Sequence, residues 1–148
     1  MEILLDNRQK KIAVKTDDLI RKAERILEGL DCNPSTILSI SLVQSEEMAA
    51  LNLKFRGKKG PTNVLSFPQP DQEQSGSRPY LLGDVVICAD RASDDAKELG
   101  YTDQEMILYL LVHGILHLVG YAHDQSADAD RMAKRVEEIF RDLTTSKS

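Results

Sequence analysis

The 148-residue sequence has no tryptophan, only two cysteines and no long hydrophobic run. Cys32 and Cys88 stand far apart and outside any C-x-x-C spacing, which argues against a disulfide framework or a thiolate metal site and favours a reducing cytoplasm. No segment approaches the length of a membrane span. The apolar start of the chain ends at Asp6 and lacks the basic residues of a signal peptide. We therefore expect a cytoplasmic protein with no membrane partner.

Acidic residues are in excess over the whole chain, but the basic cluster at residues 54–59 lies in a segment without any. The chain has 24 acidic and 19 basic residues, and the resulting net charge of -5 argues against a protein that coats nucleic acid by charge alone. Residues 48–70 contain no Asp or Glu. Six consecutive positions inside this segment hold four basic residues: Lys54, Arg56, Lys58 and Lys59. A local basic site is therefore compatible with the overall acidity.

The length and the alternation of patterns predict one domain over residues 1–148, of α/β (α+β) type. Short β-branched runs predict strands, and apolar residues at helical spacing predict helices. We expect a small mixed four-stranded sheet covered by about five helices. The predicted strands are 2–5, 36–43, 63–67 and 82–88, and the predicted helices are 16–30, 45–54, 90–98, 102–119 and 127–143.

Local signals mark the ends of several elements. Thr16 is a candidate cap for the first helix, and Thr102 with Glu105 forms a capping box at the start of the fourth. The Pro-, Gly- and Ser-rich residues 68–79 predict a mobile loop, and residues 144–148 a frayed tail. The helix over 102–119 is apolar on nearly every face, so we expect it at the centre of the domain.

All three histidines of the chain fall in residues 113–123. His113 and His117 are one helical turn apart, so both imidazoles can point at one ion. Gly120 can end the helix in a left-handed conformation and let His123 turn back towards them. Three neutral imidazoles with an open fourth position are typical of a catalytic zinc site.

We therefore predict a metal site on a buried central helix, with one Zn²⁺ per chain. Nickel, copper or iron are alternatives that the imidazole ligands leave open. The simpler interpretation is that two histidines are hydrogen-bonded core residues and the third lies in a loop.

The residue after the first histidine decides between two hydrolytic chemistries. Zincin peptidases carry H-E-x-x-H with the glutamate as general base, and Gly114 stands in its place here. Peptide hydrolysis loses its usual base and becomes the second choice. Phosphodiester cleavage instead needs a metal and fixed cations placed against phosphoryl oxygens.

The basic segment supplies candidate cations for that chemistry. Arg56 is the preferred phosphate ligand because a guanidinium can bind two phosphate oxygens at once. Lys58 and Lys59 are further candidates for substrate binding. For each of Lys54, Lys58 and Lys59 taken singly, the favoured interpretation is a solvated side chain at a helix end, where its positive charge interacts with the negative pole of the helix dipole.

Four sequence blocks in order resemble one known family. These are LNLKFR at 51–56, PTNVLSFP at 61–68, GDV at 83–85 and HGILHLVGYAH at 113–123. Together they are similar to the YbeY endoribonuclease family of bacterial rRNA maturation factors. The matching blocks cover about the last two-thirds of the chain and are much more specific than two spaced histidines.

The resemblance implies a single-domain α/β fold, zinc bound by His113, His117 and His123, and Arg56 as an active-site arginine beside it. It also implies cleavage of single-stranded RNA rather than DNA, maturation of the 3′ end of small-subunit rRNA, ribosome quality control and contact with the small ribosomal subunit. The alternatives are a metallopeptidase-like hydrolase and a non-catalytic ribosome-binding assembly factor.

Two positions depart from the family pattern, in which PTDVLSF and GYDH are usual. Asn63 and Ala122 replace the two aspartates. If either carboxylate orients a ligand histidine, zinc retention should be weaker here than is usual in the family. Asp124 or Asp84 could substitute, although Asp124 is equally well explained as a cap of the last helix.

Overall fold

Strands and helices alternate up to residue 56, and the second half of the chain is mostly helical, as the sequence predicts. The computed structural model describes residues 1–69, 80–121 and 126–145. The elements in these ranges are β1 (Glu2–Asn7), α1 (Thr16–Gly29), β2 (Thr36–Val43), α2 (Ser45–Arg56), β3 (Val64–Pro68), β4 (Tyr80–Cys88), α3 (Ala89–Leu99), α4 (Asp103–Leu118) and α5 (Ser126–Thr145). The predicted α/β (α+β) class, with a small four-stranded mixed sheet and five helices, is confirmed.

The four strands form one mixed sheet in the order β1-β2-β4-β3. β1 and β4 both pair with β2 in parallel, whereas β3 pairs with β4 in antiparallel fashion. A parallel pair needs a crossover connection, and α1 supplies it between β1 and β2. β3 is therefore an outer strand, reached from α2 through residues 57–63.

The alternation of side chains along β4 divides the core into two clusters on opposite faces of the sheet. Val85 and Ile87 join the large cluster, which contains buried residues of α1, α3, α4 and α5. Val86 and Cys88 join a smaller cluster together with Met48 of α2. The helices α2 and α4 consequently cover opposite faces.

Helix α4 lies at the centre of the large cluster, as its apolar sequence predicts, with ten buried residues along its length. Its capping box is present: the Glu105 amide donates to Thr102 Oγ1 over 3.0 Å, and the Thr102 amide donates to the Glu105 carboxylate over 2.8 Å. None of the helices in the described ranges combines the length and apolarity needed to cross a bilayer.

Two predicted helix ends are wrong. Thr16 is the first helical residue of α1 and not its cap; the cap position is Lys15, which makes no side-chain cap bond. Thr144 and Thr145 belong to the last turn of α5 instead of a frayed tail, because their hydroxyls donate to backbone carbonyls one turn earlier. The rest of that predicted tail, residues 146–148, lies outside the described residues.

The boundary between β3 and β4 also differs from the prediction. β4 begins at Tyr80, two residues before the predicted start, and an irregularity opposite Ile37 and Leu38 shifts its register there. Gly83 adopts a φ of 145° beside this shift. Pro68 closes β3. Most of the loop predicted over residues 68–79 lies outside the described residues.

Candidate functional site

Two of the three predicted metal ligands lie side by side on α4. The ring centroids of His113 and His117 are 4.8 Å apart, and the ring planes are inclined by 70°. Both rings are partly exposed on a helix whose other residues in this stretch are mostly buried. The prediction that the four-residue spacing turns both imidazoles to one side is confirmed. His123, the third predicted ligand, lies outside the described residues.

The end of α4 has the geometry predicted for a chain reversal. Gly120 has a φ of 107°. The Gly120 amide donates to the His117 carbonyl over 3.1 Å, and the Tyr121 amide donates to the Leu116 carbonyl over 3.0 Å. These two bonds form a Schellman motif, which satisfies carbonyls that the helix end would otherwise leave open. The helix therefore ends one residue after His117, at Leu118, and Gly120 turns the chain away from the helix axis.

Gly114, the residue between the histidines, packs against the sheet. A Cβ atom at this position would lie 2.6 Å from Val85 Cγ1 and 3.2 Å from Ser66 Oγ. The Ser66 hydroxyl also donates to the Gly114 carbonyl over 2.9 Å. The close approach of helix and sheet leaves no room for the glutamate of an H-E-x-x-H site, which gives a physical reason for the glycine.

Strand β3 separates the histidine pair from the end of α2. Ser66 contacts α4 on one face of the sheet. Phe67, the next residue, points to the opposite face and packs edge-on against Phe55 of α2, with ring centroids 5.2 Å apart. The C-terminal end of α2 and the C-terminal half of α4 thus lie at the same height along β3. Because β3 is an outer strand, a ligand that crosses its edge can reach both faces.

The predicted cations lie at the end of α2 and in the following loop. Arg56 is the last residue of α2, and its side chain is exposed, as are those of Lys58 and Lys59. Gly57 ends the helix with a φ of 67°. The buried amide of Asn52 donates to the Gly60 carbonyl over 2.8 Å and fastens the loop that carries the two lysines.

Of the two positions that depart from the family pattern, the structure describes only Asn63. Asn63 donates its side-chain amide to Asp95 of α3 over 3.2 Å, and its carbonyl accepts from the Cys88 amide over 2.9 Å. Its partner is therefore a carboxylate of the neighbouring helix. Ala122 and Asp124 lie outside the described residues.

Asp84, the other candidate substitute for a missing carboxylate, is placed unfavourably. Its strand neighbours Gly83 and Val85 face α4, because a Cβ at Gly83 would meet Leu118 and Val85 contacts Gly114. Alternation along the strand turns Asp84 to the other face, opposite Phe67. Of the two candidate substitutes, Asp84 therefore lies on the face of the sheet away from His113 and His117.

The described donors fit part of a zinc site. Within residues 1–69, 80–121 and 126–145, no three His, Cys, Asp or Glu side chains come close enough to hold a metal ion. The paired imidazoles of His113 and His117 are donors of the type that zinc prefers, and they form one half of a four-coordinate site. A third ligand has to come from outside these ranges, as the prediction for His123 requires.

Sequence reasoning missed the aromatic pair beside Arg56. The signal was available, because a phenylalanine stands between two basic residues in LNLKFR and a second one follows in PTNVLSFP. What the sequence does not show is that Phe55 and Phe67 meet, since their contact depends on how α2 crosses the sheet.

Comparisons with known proteins point in one direction. The family model described as Endoribonuclease YbeY matches residues 4–144. A relative named Endoribonuclease YbeY from Syntrophotalea carbinolica is 39% identical over 140 residues, which cover 93% of each chain. Another of that name from Sulfurihydrogenibium is 45% identical over 122 residues, covering 82% of this chain and 78% of the relative.

A similar fold is found among solved structures. The solution structure of TM1509 from Thermotoga maritima superposes with a TM-score of 0.59 at 26% sequence identity. The match covers 97% of this chain and 92% of the other. The similarity of fold therefore extends over nearly the whole length of both chains.

Proposed function

Because this chain belongs to the YbeY endoribonuclease family, we propose that it is a zinc-dependent endoribonuclease specific for single-stranded RNA. The observation that carries this proposal is the pair of imidazoles on α4, 4.8 Å apart, at the same height of the outer strand β3 as the exposed basic end of α2. RNA is the substrate because relatives of this chain are named endoribonucleases.

His113, His117 and His123 would hold the metal, one zinc ion per chain. When bound there, zinc supplies Lewis acidity towards a water molecule or a phosphoryl oxygen. The burial of the rest of α4 fixes the two described imidazoles, since the helix cannot rotate without exposing its apolar faces. The protein's own contribution is thus a rigid pair of donors with a water-accessible side.

Arg56 would bind the scissile phosphate. Its planar guanidinium offers two parallel N–H groups to two phosphate oxygens, and such charge-assisted pairs are stronger than neutral hydrogen bonds. Lys58 and Lys59 would bind neighbouring phosphates from the loop that Asn52 fastens. Charge that develops on the phosphoryl oxygens during cleavage is stabilised by cations already in place.

The biological role that we propose is maturation of the 3′ end of small-subunit rRNA and ribosome quality control, in the cytoplasm and in contact with the small ribosomal subunit. The family resemblance supports this role. The acid-free segment 48–69 offers RNA one basic approach on an otherwise acidic chain.

A peptidase is disfavoured by the packing of Gly114. No side chain at that position can act as the general base of an H-E-x-x-H site, because Val85 and Ser66 occupy the space. A non-catalytic ribosome-binding factor remains the alternative to test. Such a factor would bind small subunits equally well after His113→Ala and would cut no RNA.

The proposal is tested by metal analysis of the purified protein followed by cleavage of an unstructured RNA with and without a chelator. We expect about one zinc per chain, cleavage that the chelator abolishes and that added zinc restores, and loss of both zinc and activity in His117→Ala. Cleavage that persists in the metal-free protein, or full activity in His117→Ala, would contradict the proposed site.

A further inference from the structure

Phe55 is an exposed aromatic side chain in the last turn of α2. Its relative exposure is 53%, although it lies on the same side of α2 as the buried Met48 and Asn52. Phe67 packs edge-on against it and limits the rotation of its ring. A single exposed apolar side chain is common on protein surfaces, so the groups around this ring decide what it can bind.

Positive charge surrounds this ring. The Lys54 ammonium lies over it, 5.3 Å from the ring centroid. Arg56, Lys58 and Lys59 follow directly in the chain and are all exposed. No acidic residue occurs in the described residues 48–69. An exposed aromatic side chain among cations is the combination with which proteins hold unpaired nucleotides, the ring stacking on a base and the cations binding phosphates.

The position of the ring suits an RNA strand that also reaches the histidines. Phe67 and Ser66 are consecutive residues of β3, and they contact Phe55 on one face and Gly114 of α4 on the other. β3 is an outer strand of the sheet, so a flexible strand of RNA can cross its edge without passing through the core. Arg56 follows Phe55 directly in the chain and is exposed at the end of α2, so a candidate phosphate ligand lies next to the ring.

We propose that Phe55, supported by Phe67, forms a stacking platform for one unpaired base of the RNA substrate, a few nucleotides from the cleaved bond. The inference rests on the proposed function and deepens it, because it assigns a base-binding position to a surface on the other side of β3 from the histidines. The base takes the place of the Lys54 ammonium over the ring, and the ammonium moves to a phosphate.

Stacking is measured with a single-stranded 2′-O-methyl RNA of about ten nucleotides that contains 2-aminopurine, whose fluorescence is quenched when it stacks. The zinc-loaded protein is titrated at one fixed salt concentration. We expect Phe55→Leu, which keeps the apolar contact with Phe67 but has no ring, to weaken binding roughly 5- to 150-fold and to remove the quenching. Phe55→Trp should retain both.

Leu53→Ala is the matched control. Leu53 is exposed to 56% on the same helix, two residues away from Phe55, and is not aromatic. We expect this variant to bind as the wild type does. Thermal unfolding of every variant separates a loss of binding from a loss of folding, and the tryptophan variant must fold and bind if stacking is the cause.

Equal affinity of wild type and Phe55→Leu would overturn the platform. If the wild type cleaves unmodified RNA and Phe55→Leu binds RNA with the wild-type affinity, only the stacking platform is contradicted. If the wild type neither binds nor cleaves RNA, the proposed function is contradicted as well. A wild-type dimer that Phe55→Leu converts to a monomer with unchanged RNA affinity would also overturn the proposal, since the ring would then serve contact between two copies of the chain.

Discussion

Gly114 illustrates how one residue sets the distance between a helix and a sheet. Its missing side chain allows α4 to approach Val85 so closely that the Ser66 hydroxyl reaches the Gly114 carbonyl. The same absence of a side chain rules out the catalytic glutamate of a peptidase at this position. A single residue therefore has both a packing role and a consequence for the chemistry.

Gly114→Ala should destabilise the protein by about 1–3 kcal/mol, because Val85 is a stiff, buried side chain that cannot move aside cheaply. Gly29→Ala is the control, since a Cβ there meets nothing within 4 Å. We expect that control to leave the free energy of unfolding unchanged or to raise it by up to about 1 kcal/mol. Urea unfolding measures both, and equal effects of the two substitutions would contradict the packing argument.

Asn63 stands where an aspartate is usual in the family, and its side-chain amide donates to the Asp95 carboxylate. Asn63→Asp should lower the free energy of unfolding by roughly 1 kcal/mol at neutral pH, because a hydrogen bond is lost and two carboxylates are brought together. In the Asp95→Asn background the same substitution should cost much less, since the donor and acceptor are merely exchanged. A double-mutant cycle measures this coupling, and equal losses in both backgrounds would show that the pair does not interact.

At the scale of elements, α2 is fastened at both ends by groups outside its own helical turns. At its start, the Ser45 amide donates to the Asp90 carboxylate of α3 over 2.8 Å, while the cap residue Gln44 makes no side-chain bond. At its end, Asn52 holds Gly60. The basic loop and Phe55 therefore inherit their position from contacts with neighbouring elements.

The stability that Asp90 contributes should depend on pH. Hydrogen bonds from the Ser45 hydroxyl and amide hold the pKa of Asp90 below its ordinary value of 3.8. The folded state thus favours the carboxylate, so this contribution is complete above the ordinary pKa and is lost as the pH falls through the lowered one. Asp90→Ala should cost about 1 kcal/mol at pH 7, as the loss of a helix cap does.

The difference in thermal stability between wild type and Asp90→Ala should narrow once the pH falls below about 4. Melting curves recorded from neutral to acidic pH measure this difference. A gap that stays constant or widens in acid would show that Asp90 does not cap α2 as a carboxylate.

Structural features that depend only on residues close together in the sequence were predictable. The capping box of α4, its apolar faces and the turn at Gly120 all rest on interactions within a few residues, and each is confirmed. The placement of α2 and α4 on opposite faces was not predictable in this way. It depends on which residues of β4 meet Met48 and which meet α4, and these contacts join distant parts of the chain.

The same limit applies to the site. Periodicity turns His113 and His117 to one side of their helix, because they are about one helical turn apart. The position of Arg56 relative to them depends instead on the strand order, which makes β3 the outer strand. The contact between Phe55 and Phe67 depends on the path of α2, so the local sequence shows the two rings but not that they meet.

At the scale of the whole molecule, charge and topology together define one approach for RNA. The chain carries a net charge of -5. Its basic residues at 54–59 nevertheless lie together, at the end of α2 and in the connection from α2 to the outer strand β3. The basic cluster at residues 54–59 can therefore attract an anionic strand to the β3 edge despite the overall negative charge. The histidine pair on one face and Arg56 on the other make this edge the proposed site of cleavage.

The most direct test of this account is the rate at which zinc-loaded Arg56→Ala cuts a single-stranded RNA, compared with wild type and with Arg141→Ala. Arg141 is a control of the same residue type, exposed on α5. We predict a rate at least about a hundredfold lower for Arg56→Ala, with unchanged zinc content, because a fixed charge is removed from the reacting phosphate. Equal rates in Arg56→Ala and Arg141→Ala would contradict the proposed active site.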